Sequence, residues 1–315
     1  MADSGAAAGG CALLGDSGAA ADGDGKRKNE EVEGESQEMR NAVERVTKTH
    51  LQELRKAVNA LTQGVAKLLR TSCDGKKIWE ALITVWDAAV PDGTHMDLSG
   101  ISCLTDAALT RLASFDQLTT VILRGSSGFT AAGIRELFSL TGLECLDLAG
   151  SSTTDAALDG IDNLKSLRTL ALDDTKVTDA GITKLLRLPA LRGLGISGCV
   201  SVTSASMVHV GKLTALECLT LHESGVREDS LQHLTALTSL SSLTLPPGVT
   251  DSGMKYLRNM KRLETLGSWD ANITAAGVNW LKGLTCLRRI ATQAEDVEGF
   301  VRDAFPGMIV TPGPL

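Results

Sequence analysis

The stretch LRTLALDDTKVTDAGITKLLRLPAL, residues 167–191, decides the fold. Leu170 and Leu172 alternate with Ala171, and this alternation predicts a short β-strand with one buried and one outward face. A short polar turn, DDTK, follows the strand. The unit therefore begins as a strand that ends abruptly in a turn.

A helix is predicted directly after this turn. Thr178 suits the N-cap, and Asp179 lies in the first turn, where the helix dipole favours a negative charge. Ile182, Leu185 and Leu188 then recur at every third position, so one stripe of the helix faces the strand. A single strand–helix unit cannot bury this stripe alone, so we expect neighbouring copies to stack.

The same phrase recurs from residue 96 onward. The intervals between copies are all 23 to 25 residues, which a chance arrangement would not produce. Aligned on the last residue of the Leu-x-Leu core, the copies are Leu98, Leu123, Leu148, Leu172, Ile196, Leu221, Leu245, Ser268 and Thr292.

Residues 96–310 resemble the leucine-rich-repeat family in this Leu-x-x-Leu-x-x-Leu-x-Leu phrase and in the Thr-Asp-Ala-Gly helix starts. The resemblance implies an α/β leucine-rich-repeat solenoid, with parallel strands on the concave side and helices on the convex side. The helix starts look more like those of intracellular members than like those of secreted receptors. Such solenoids commonly bind proteins on the concave face.

The flanking sequence predicts an N-terminal helical extension and two caps. Residues 1–38, rich in Ala, Gly, Ser and acidic residues, predict a disordered tail. Residues 39–75 predict a coiled-coil-like helix, which packs through 39–71 either on its own solenoid or on another chain. Residues 76–95 predict a capping helix before the repeats at 96–294, and residues 295–315 predict a C-terminal cap. The apolar seam of the first helix is Leu51, Leu54, Val58, Leu61, Val65 and Leu68.

Composition argues against several classes of function. The chain of 315 residues has 31 Lys and Arg against 38 Asp and Glu, a net charge of −7 that disfavours direct binding of nucleic acid. No apolar run approaches the roughly 18 residues of a membrane span, and no secretory signal is recognisable. Seven cysteines without metal-ligand spacing predict reduced thiols and an intracellular protein, most simply cytoplasmic. The basic triplet at 26–28 leaves a nuclear protein as the alternative.

No arrangement of residues predicts catalysis. The five histidines are too dispersed for a metal site. Cys145 and Cys218 lack a neighbouring base that would activate a thiolate. The column glycines lie near helix starts, where they predict close packing rather than a phosphate loop; they are Gly133, Gly181, Gly253 and Gly277. We therefore predict no catalytic residues, no cofactor, no metal and no enzymatic activity.

The candidate binding surface lies where the strands end, because corresponding residues of successive repeats form continuous rows. Most residues in these rows are small, so the large ones should dominate the concave face, and their charge favours a basic or amide-rich protein segment. In the alternative, the acids merely solvate the surface and Trp269 folds over an irregular repeat. The predicted partner-binding residues are Asp147, Asp173, Asp174, His222, Glu223, Trp269 and Asp270.

A second row of residues occupies one helix position in successive repeats, following Lys184. It predicts a secondary patch on the convex side, although ordinary packing between helix tops would give the same pattern. The residues of this patch are His209, His233, Tyr256 and Trp280.

The sequence thus predicts a non-enzymatic interaction module, an intracellular scaffold or complex subunit that binds a partner protein on its concave face. Two alternatives stay open. One is a substrate receptor or adaptor of a ubiquitin ligase, since similar repeats often follow an F-box, although Ile78–Val90 is short for that box. The other is a regulator of the enzyme-inhibitor type.

Overall fold

The computed structural model describes residues 94–269, 272–292, 301, 305 and 307–311. The predicted tail at 1–38 and the predicted helix at 39–75 lie outside the described residues. So do residues 76–93 of the predicted capping helix and most of 295–315. His95, at the end of the predicted cap, already belongs to the first strand.

The described strands form one parallel sheet in which their spatial order equals their order in the chain. Each strand returns to the sheet beside its predecessor after one crossover, which is the arrangement of a solenoid and confirms the predicted fold class. The strands are β1 His95–Asp97, β2 Thr120–Ile122, β3 Cys145–Asp147, β4 Thr169–Ala171, β5 Gly193–Gly195, β6 Cys218–Thr220, β7 Ser242–Thr244, β8 Thr265–Ser268, β9 Arg289–Thr292 and β10 Ile309–Thr311.

The aliphatic columns align as the repeat predicts. Leu170 of β4 pairs with Leu146 of β3 on one side and with Leu194 of β5 on the other, and all three are buried. The ladder continues one residue further, where Leu148 and Leu172 donate backbone hydrogen bonds of 2.9 and 2.8 Å to the next repeat. The buried leucines of consecutive strands therefore form one continuous hydrophobic core.

Small polar side chains close the turn behind several of the strands, in place of the asparagines that this turn often carries. Ser126 accepts from the Ile101 N–H at 2.9 Å and donates to the Leu98 carbonyl at 2.6 Å, and is fully buried. Ser151 and Ser224 each donate at 2.6 Å to the carbonyl three residues earlier. Backbone groups that the turn would leave unpaired are thus satisfied inside the core.

Short helices make the crossovers. Of the described residues, six stretches are α-helical: α1 Asp106–Leu112, α2 Ala131–Glu136, α3 Asp179–Lys184, α4 Met207–Val210, α5 Asp251–Met254 and α6 Ala275–Asn279. The 3₁₀ stretches are Leu137–Ser139, Asp155–Leu158, Ile161–Asn163, Leu185–Arg187, Ser204–Ser206, Glu228–Ala236 and Lys255–Asn259.

The N-cap separates α-helical from 3₁₀ crossovers. Where a threonine side chain accepts a hydrogen bond from the first turn, as Thr178 does from Ala180 N–H at 3.2 Å, the crossover contains α-helix. Thr154 and Arg227 make no such bond, and the crossovers that follow them are 3₁₀ throughout. A first turn whose N–H groups receive no hydrogen bond from a cap side chain is therefore followed by 3₁₀ helix instead of α-helix.

The first acidic residue of a helix binds the cap of the next repeat, which the sequence did not reveal. Asp155 accepts from both the N–H and the hydroxyl of Thr178, at 2.8 and 2.6 Å. Asp251 does the same for Thr274 at 2.7 and 2.6 Å. Asp106, Asp179 and Glu228 repeat the arrangement with Thr130, Thr203 and Thr250. We call this series the acid–threonine ladder.

The helix glycines make room for this ladder. A Cβ on Gly133 would overlap the carboxylate of Asp106, and one on Gly277 would overlap that of Asp251. The close packing predicted at these glycines is thus packing against the preceding repeat's acidic side chain, across the boundary between repeats.

The C-terminal residues that are described extend the sheet. β10 pairs in parallel with β9, with Val310 opposite Ile290, and Val301 is fully buried. No helix among the described residues combines the length and the apolar character needed to cross a bilayer.

Candidate functional site

The face of the sheet that points away from the helices carries the predicted partner-binding residues. We call it the strand face; it comprises the outward residues of the strands and the two residues after each Leu-x-Leu core. Along the third strand position of β4 to β8 it is lined with small side chains, which leave this part of the sheet open to an approaching ligand. These residues are Ala171, Gly195, Thr220, Thr244 and Gly267.

Asp147 is held within the solenoid. One of its carboxylate oxygens forms an ion pair of 3.0 Å with Nε of Arg124 in the preceding repeat, and the other accepts from the Ala149 N–H at 2.9 Å. Its side chain is 14% exposed, whereas that of Arg124 is 56% exposed. At this end the strand face therefore presents an arginine, which the sequence analysis did not single out.

Asp173 is similarly engaged by its neighbours. Its Oδ1 accepts from the Ser197 N–H at 2.8 Å and from the Thr220 hydroxyl, two strands away, at 2.9 Å. Gly195 lies beneath this carboxylate, and a Cβ there would overlap it. Asp173 thus ties three repeats together, and its partners come from residues 24 and 47 positions later.

Asp174 and Glu223 adopt an unusual backbone conformation. Their φ angles are 55° and 52°, and they are the two non-glycine residues of the described chain with positive φ. The same position in four other repeats is glycine, also with positive φ: Gly100, Gly125, Gly150 and Gly198. Left-handed backbone costs a residue with a Cβ about 1 kcal/mol or more. Two acidic residues therefore stand where the backbone favours glycine.

His222, Glu223 and Trp269 form a cluster at the other end of the strand face. The rings of His222 and Trp269 meet edge to face, with centroids 4.6 Å apart and planes at 83°. Nε2 of His222 lies 3.7 Å from a carboxylate oxygen of Glu223, whose side chain is 70% exposed. This edge-to-face geometry is a favourable aromatic arrangement, so it positions both rings.

Trp269 reaches this cluster by lying across the irregular repeat. It follows β8, while His222 follows β6, so the indole spans the width of β7. Its Cζ2 would be 3.5 Å from a Cβ on Gly267, and the neighbouring Thr244 is 5% exposed. The indole therefore lies over Gly267 at a distance that a Cβ there would meet in van der Waals contact. Trp269 is half-buried, so it covers this repeat and also keeps an accessible surface.

The predicted acidic residues of the strand face therefore fall into two groups that differ in their contacts with the solenoid. Asp147 and Asp173 are bound by the solenoid itself, whereas Asp174 and Glu223 are exposed. Asp270 lies outside the described residues. Asp174 is two strands from Glu223, a separation of about 10 Å at the usual strand spacing.

The predicted convex residues lie on successive helical segments. His209 is half-buried, and its Nδ1 has no hydrogen-bond partner among the described residues. His233 is exposed, and Tyr256 packs partly against the core with the Lys255 ammonium 4.8 Å from its ring centre. Trp280 is 44% exposed. The four residues thus differ in exposure and do not form a uniform apolar patch.

The part of the chain that is described contains no group of three His, Cys, Asp or Glu residues placed to hold a metal ion. Burial raises the pKa of the Cys145 thiol, and Asp147 raises it further. Burial likewise raises the pKa of Cys218. Both cysteines are therefore protonated thiols near neutral pH, as their sequence context predicted.

Two surface depressions occur on the crossover side rather than on the strand face. One has a volume of about 290 Å³ and is lined by residues that include Asp159, Asp162, Lys184 and Arg187. The other, of about 620 Å³, is lined by Arg227, Glu228, Asp229, Pro247, Gly248, Ser252, Lys255 and Tyr256. Acids and bases face each other in both, and neither adjoins the His222 cluster.

Comparison with known proteins gives structural neighbours only. No protein-family model matches the chain, and no curated protein matches it. An internalin, inlF, from Listeria monocytogenes superposes with a TM-score of 0.48 and 19% identity, covering 80% of this chain and 74% of its own. Internalin C2 from the same bacterium gives a TM-score of 0.38 and 23% identity, covering 57% of this chain and 84% of its own.

A plant peptide hormone receptor, RGFR1 in complex with RGF2, gives a TM-score of 0.44 and 16% identity. That match covers 69% of this chain and 35% of the receptor. Similarity at this level carries no functional argument, so the fold is assigned from this chain's own sheet and repeats. The chain has the leucine-rich-repeat fold.

Proposed function

We propose that the chain is a non-enzymatic interaction module, an intracellular scaffold or complex subunit that binds a basic or amide-rich protein segment on its strand face. The observation that carries the proposal is the pair Asp174 and Glu223. Both adopt a left-handed backbone that glycine would adopt without strain. Both also place an exposed carboxylate just beyond the carboxyl end of a strand, Asp174 after β4 and Glu223 after β6. Backbone strain that no internal contact requires is a feature of functional sites.

The surroundings of these carboxylates suit a protein ligand. No hydrogen bond or ion pair joins the Asp174 carboxylate to another described residue, and Glu223 has only the 3.7 Å contact with His222. The half-buried Trp269, whose ring contacts that of His222, supplies an aromatic anchor, and tryptophan is enriched at the centres of protein interfaces. Small side chains between the two carboxylates allow an extended backbone to approach the sheet.

Peptide display on the full chain tests the proposal. We expect the selected peptides to be rich in Lys, Arg, Asn or Gln. The decisive variant is Asp174→Gly with Glu223→Gly, because glycine is the residue that four other repeats carry at this position. It removes both carboxylates while relieving the backbone, so we expect thermal stability to be kept or raised and peptide affinity to fall at least about tenfold.

Two further variants complete the experiment. Trp269→Ala should also weaken binding, whereas Glu136→Gln, an exposed acid on a crossover, should leave it unchanged. Failure to select any basic or amide-rich peptide, or affinity for such a peptide that survives the double glycine variant, would refute the proposed strand-face site.

A further inference from the structure

The last repeats reverse the charge of the rest of the chain. Residues 255–289 contain seven Lys and Arg residues and two acidic ones, Glu264 and Asp270, although the whole chain has a net charge of −7. The rest of the chain therefore has a net charge more negative than −7. A cation-rich region in such a chain calls for a physical reason.

Several cations of the earlier repeats form ion pairs between neighbouring repeats, whereas no ion pair of the described residues involves a cation of 255–289. The pairs are Arg168 with Glu144, Lys184 with Asp159, Arg187 with Asp162 and Arg192 with Glu217. Arg258 and Lys282 are exposed and form no ion pair within the part of the chain that is described. They occupy equivalent positions, 24 residues apart, on crossovers that pack side by side.

Two aromatic residues accompany these cations. Tyr256 and Trp280 are also 24 residues apart, two positions before Arg258 and Lys282. The Lys255 ammonium lies 4.8 Å from the centre of the Tyr256 ring, a cation–π contact at the depression that Glu228 and Asp229 also line. Trp280 is one of the few large apolar side chains of the described residues that are more than a third exposed.

A hydrogen bond from a lysine side chain to a backbone carbonyl joins the two crossovers. Lys261 Nζ donates to the carbonyl of Gly283 at 2.9 Å, joining the end of one crossover to the end of the next. The cations and rings thus stand on a preformed surface of two packed repeats. We call Lys255, Tyr256, Arg258, Trp280 and Lys282 the basic helix patch.

We propose that the basic helix patch binds a short acidic protein segment that carries one large apolar residue. Carboxylates of the segment would form charge-assisted hydrogen bonds with Arg258 and Lys282, and the apolar residue would lie against Tyr256 and Trp280. This site lies on the helices, whereas the proposed strand-face site lies on the opposite side of the sheet. The two surfaces have opposite charge, so they select different partners.

A short acidic segment fits better than nucleic acid does. Charges in physiological salt act over about 8 Å, so a short peptide experiences mainly the patch. A long phosphate backbone would extend beyond the two repeats and meet the more acidic remainder of the chain. The ion pairs of the earlier crossovers also offer no continuous basic track along which a nucleic acid could bind.

The test uses the full chain and a labelled synthetic peptide, acetyl-EEDFDEE-amide. Its uncharged counterpart, acetyl-QQNFNQQ-amide, serves as the peptide control. We expect the acidic peptide to bind at least about tenfold more tightly, and its affinity to fall between about 0.05 M and about 0.5 M salt because exposed charges are screened. Reversal of two cations in Arg258→Glu with Lys282→Glu should weaken binding about tenfold or more.

The matched control variant is Arg111→Glu with Arg135→Glu, which makes the same change of charge on exposed helix residues of the first repeats. It should leave the affinity for the acidic peptide within about twofold, since these residues lie far beyond a Debye length from the patch. Unchanged binding by the Arg258 and Lys282 variant would overturn the proposal. So would equal affinity for the two peptides, or binding of a single-stranded oligonucleotide in preference to the acidic peptide.

Discussion

At the scale of single residues, carboxylates with similar sequence contexts differ in their hydrogen-bond partners and in their exposure. Asp173 and Asp174 are adjacent, yet one is bound by Ser197 and Thr220 and the other is exposed on a left-handed backbone. Asp106, at a helix start, holds the cap of the next repeat. Hydrogen bonds from the backbone and then the hydroxyl of Thr130 lower the pKa of Asp106 below its usual value.

The lowered pKa of Asp106 implies a pH-dependent contribution to stability. Because the folded state binds the proton less tightly than the unfolded state, the contribution is present above the unfolded pKa of about 3.9 and is lost as the pH falls through the folded pKa. Asp106→Asn should therefore lower the unfolding free energy by about 0.5–1.5 kcal/mol at pH 7. Near pH 3 the difference should shrink, because the wild-type carboxyl is then partly protonated. Urea unfolding at both pH values measures this.

The control for this prediction is Asp116→Asn, which changes an exposed acid in a turn. It should alter the urea midpoint little at either pH. A loss of stability for Asp106→Asn that is equally large at pH 3 and pH 7 would show that the charge of Asp106 is not what holds the next repeat.

At the scale of elements, the acid–threonine ladder explains why the helix starts read Thr-Asp-Ala-Gly. The threonine caps its own helix, the acid binds the next threonine, and the glycine leaves space for the preceding acid. The ladder is missing between Ala131 and Thr154, and there Ala157 replaces the glycine. Asp179 is an exception to the pairing of acid with glycine, because the glycine position of the next repeat is occupied by Ser206.

A double variant should create the missing interaction of the acid–threonine ladder between position 131 and Thr154. Ala131→Asp alone should stabilise little or be destabilising, because the Cβ of Ala157 occupies the space that the carboxylate needs. Ala157→Gly alone should cost about 1 kcal/mol through helix propensity. Together they should be more stable than the two separate effects predict, by about 1 kcal/mol or more.

The double-mutant cycle is measured by chemical denaturation of the full chain. Simple additivity of the two changes would contradict the account of the helix glycines, because it would show that acid and glycine act independently.

How much of this could be predicted from the sequence depends on the range of the interactions. The strands and their buried leucines follow from a period that is present in every copy, such as Leu146, Leu170 and Leu194. Whether a crossover contains α-helix goes together with a cap hydrogen bond that the sequence does not reveal, since Thr154 and Thr178 occupy equivalent positions and only Thr178 makes the bond. The glycine column was the available signal for positive φ at Asp174 and Glu223.

The candidate site was harder to predict, because side-chain partners come from other repeats. Asp147 is neutralised by Arg124 and Asp173 by groups up to 47 residues away. The contact of Trp269 with His222 joins residues 47 positions apart in the chain. Composition and periodicity give the rows of the strand face, but not which members of a row bind each other.

At the scale of the whole molecule, stability comes mainly from repeats that pack against their neighbours in one continuous core. Leu172 is fully buried in the centre of that core, whereas Leu186 is 37% exposed on a crossover. The same substitution at these two positions therefore tests the assignment of the columns.

Leu172→Asp should abolish or strongly lower the thermal unfolding transition, because an unpaired buried charge costs more than about 4 kcal/mol in a structure of limited stability. Leu186→Asp should change the unfolding free energy by about 0.5 kcal/mol or less. Circular dichroism melting of both variants gives the comparison. Equal melting temperatures would contradict the arrangement of the core.

The strand-face site is tested most directly by zero-length crosslinking of a selected lysine-containing peptide to the full chain, followed by mass spectrometry. A carbodiimide joins an amine only to a carboxylate that it contacts, so the crosslinked acid reports the position of the peptide. We predict crosslinks at Asp174 and Glu223, lost in the double glycine variant. Crosslinks concentrated instead at exposed acids away from the strand face, such as Asp116 or Glu136, would contradict it.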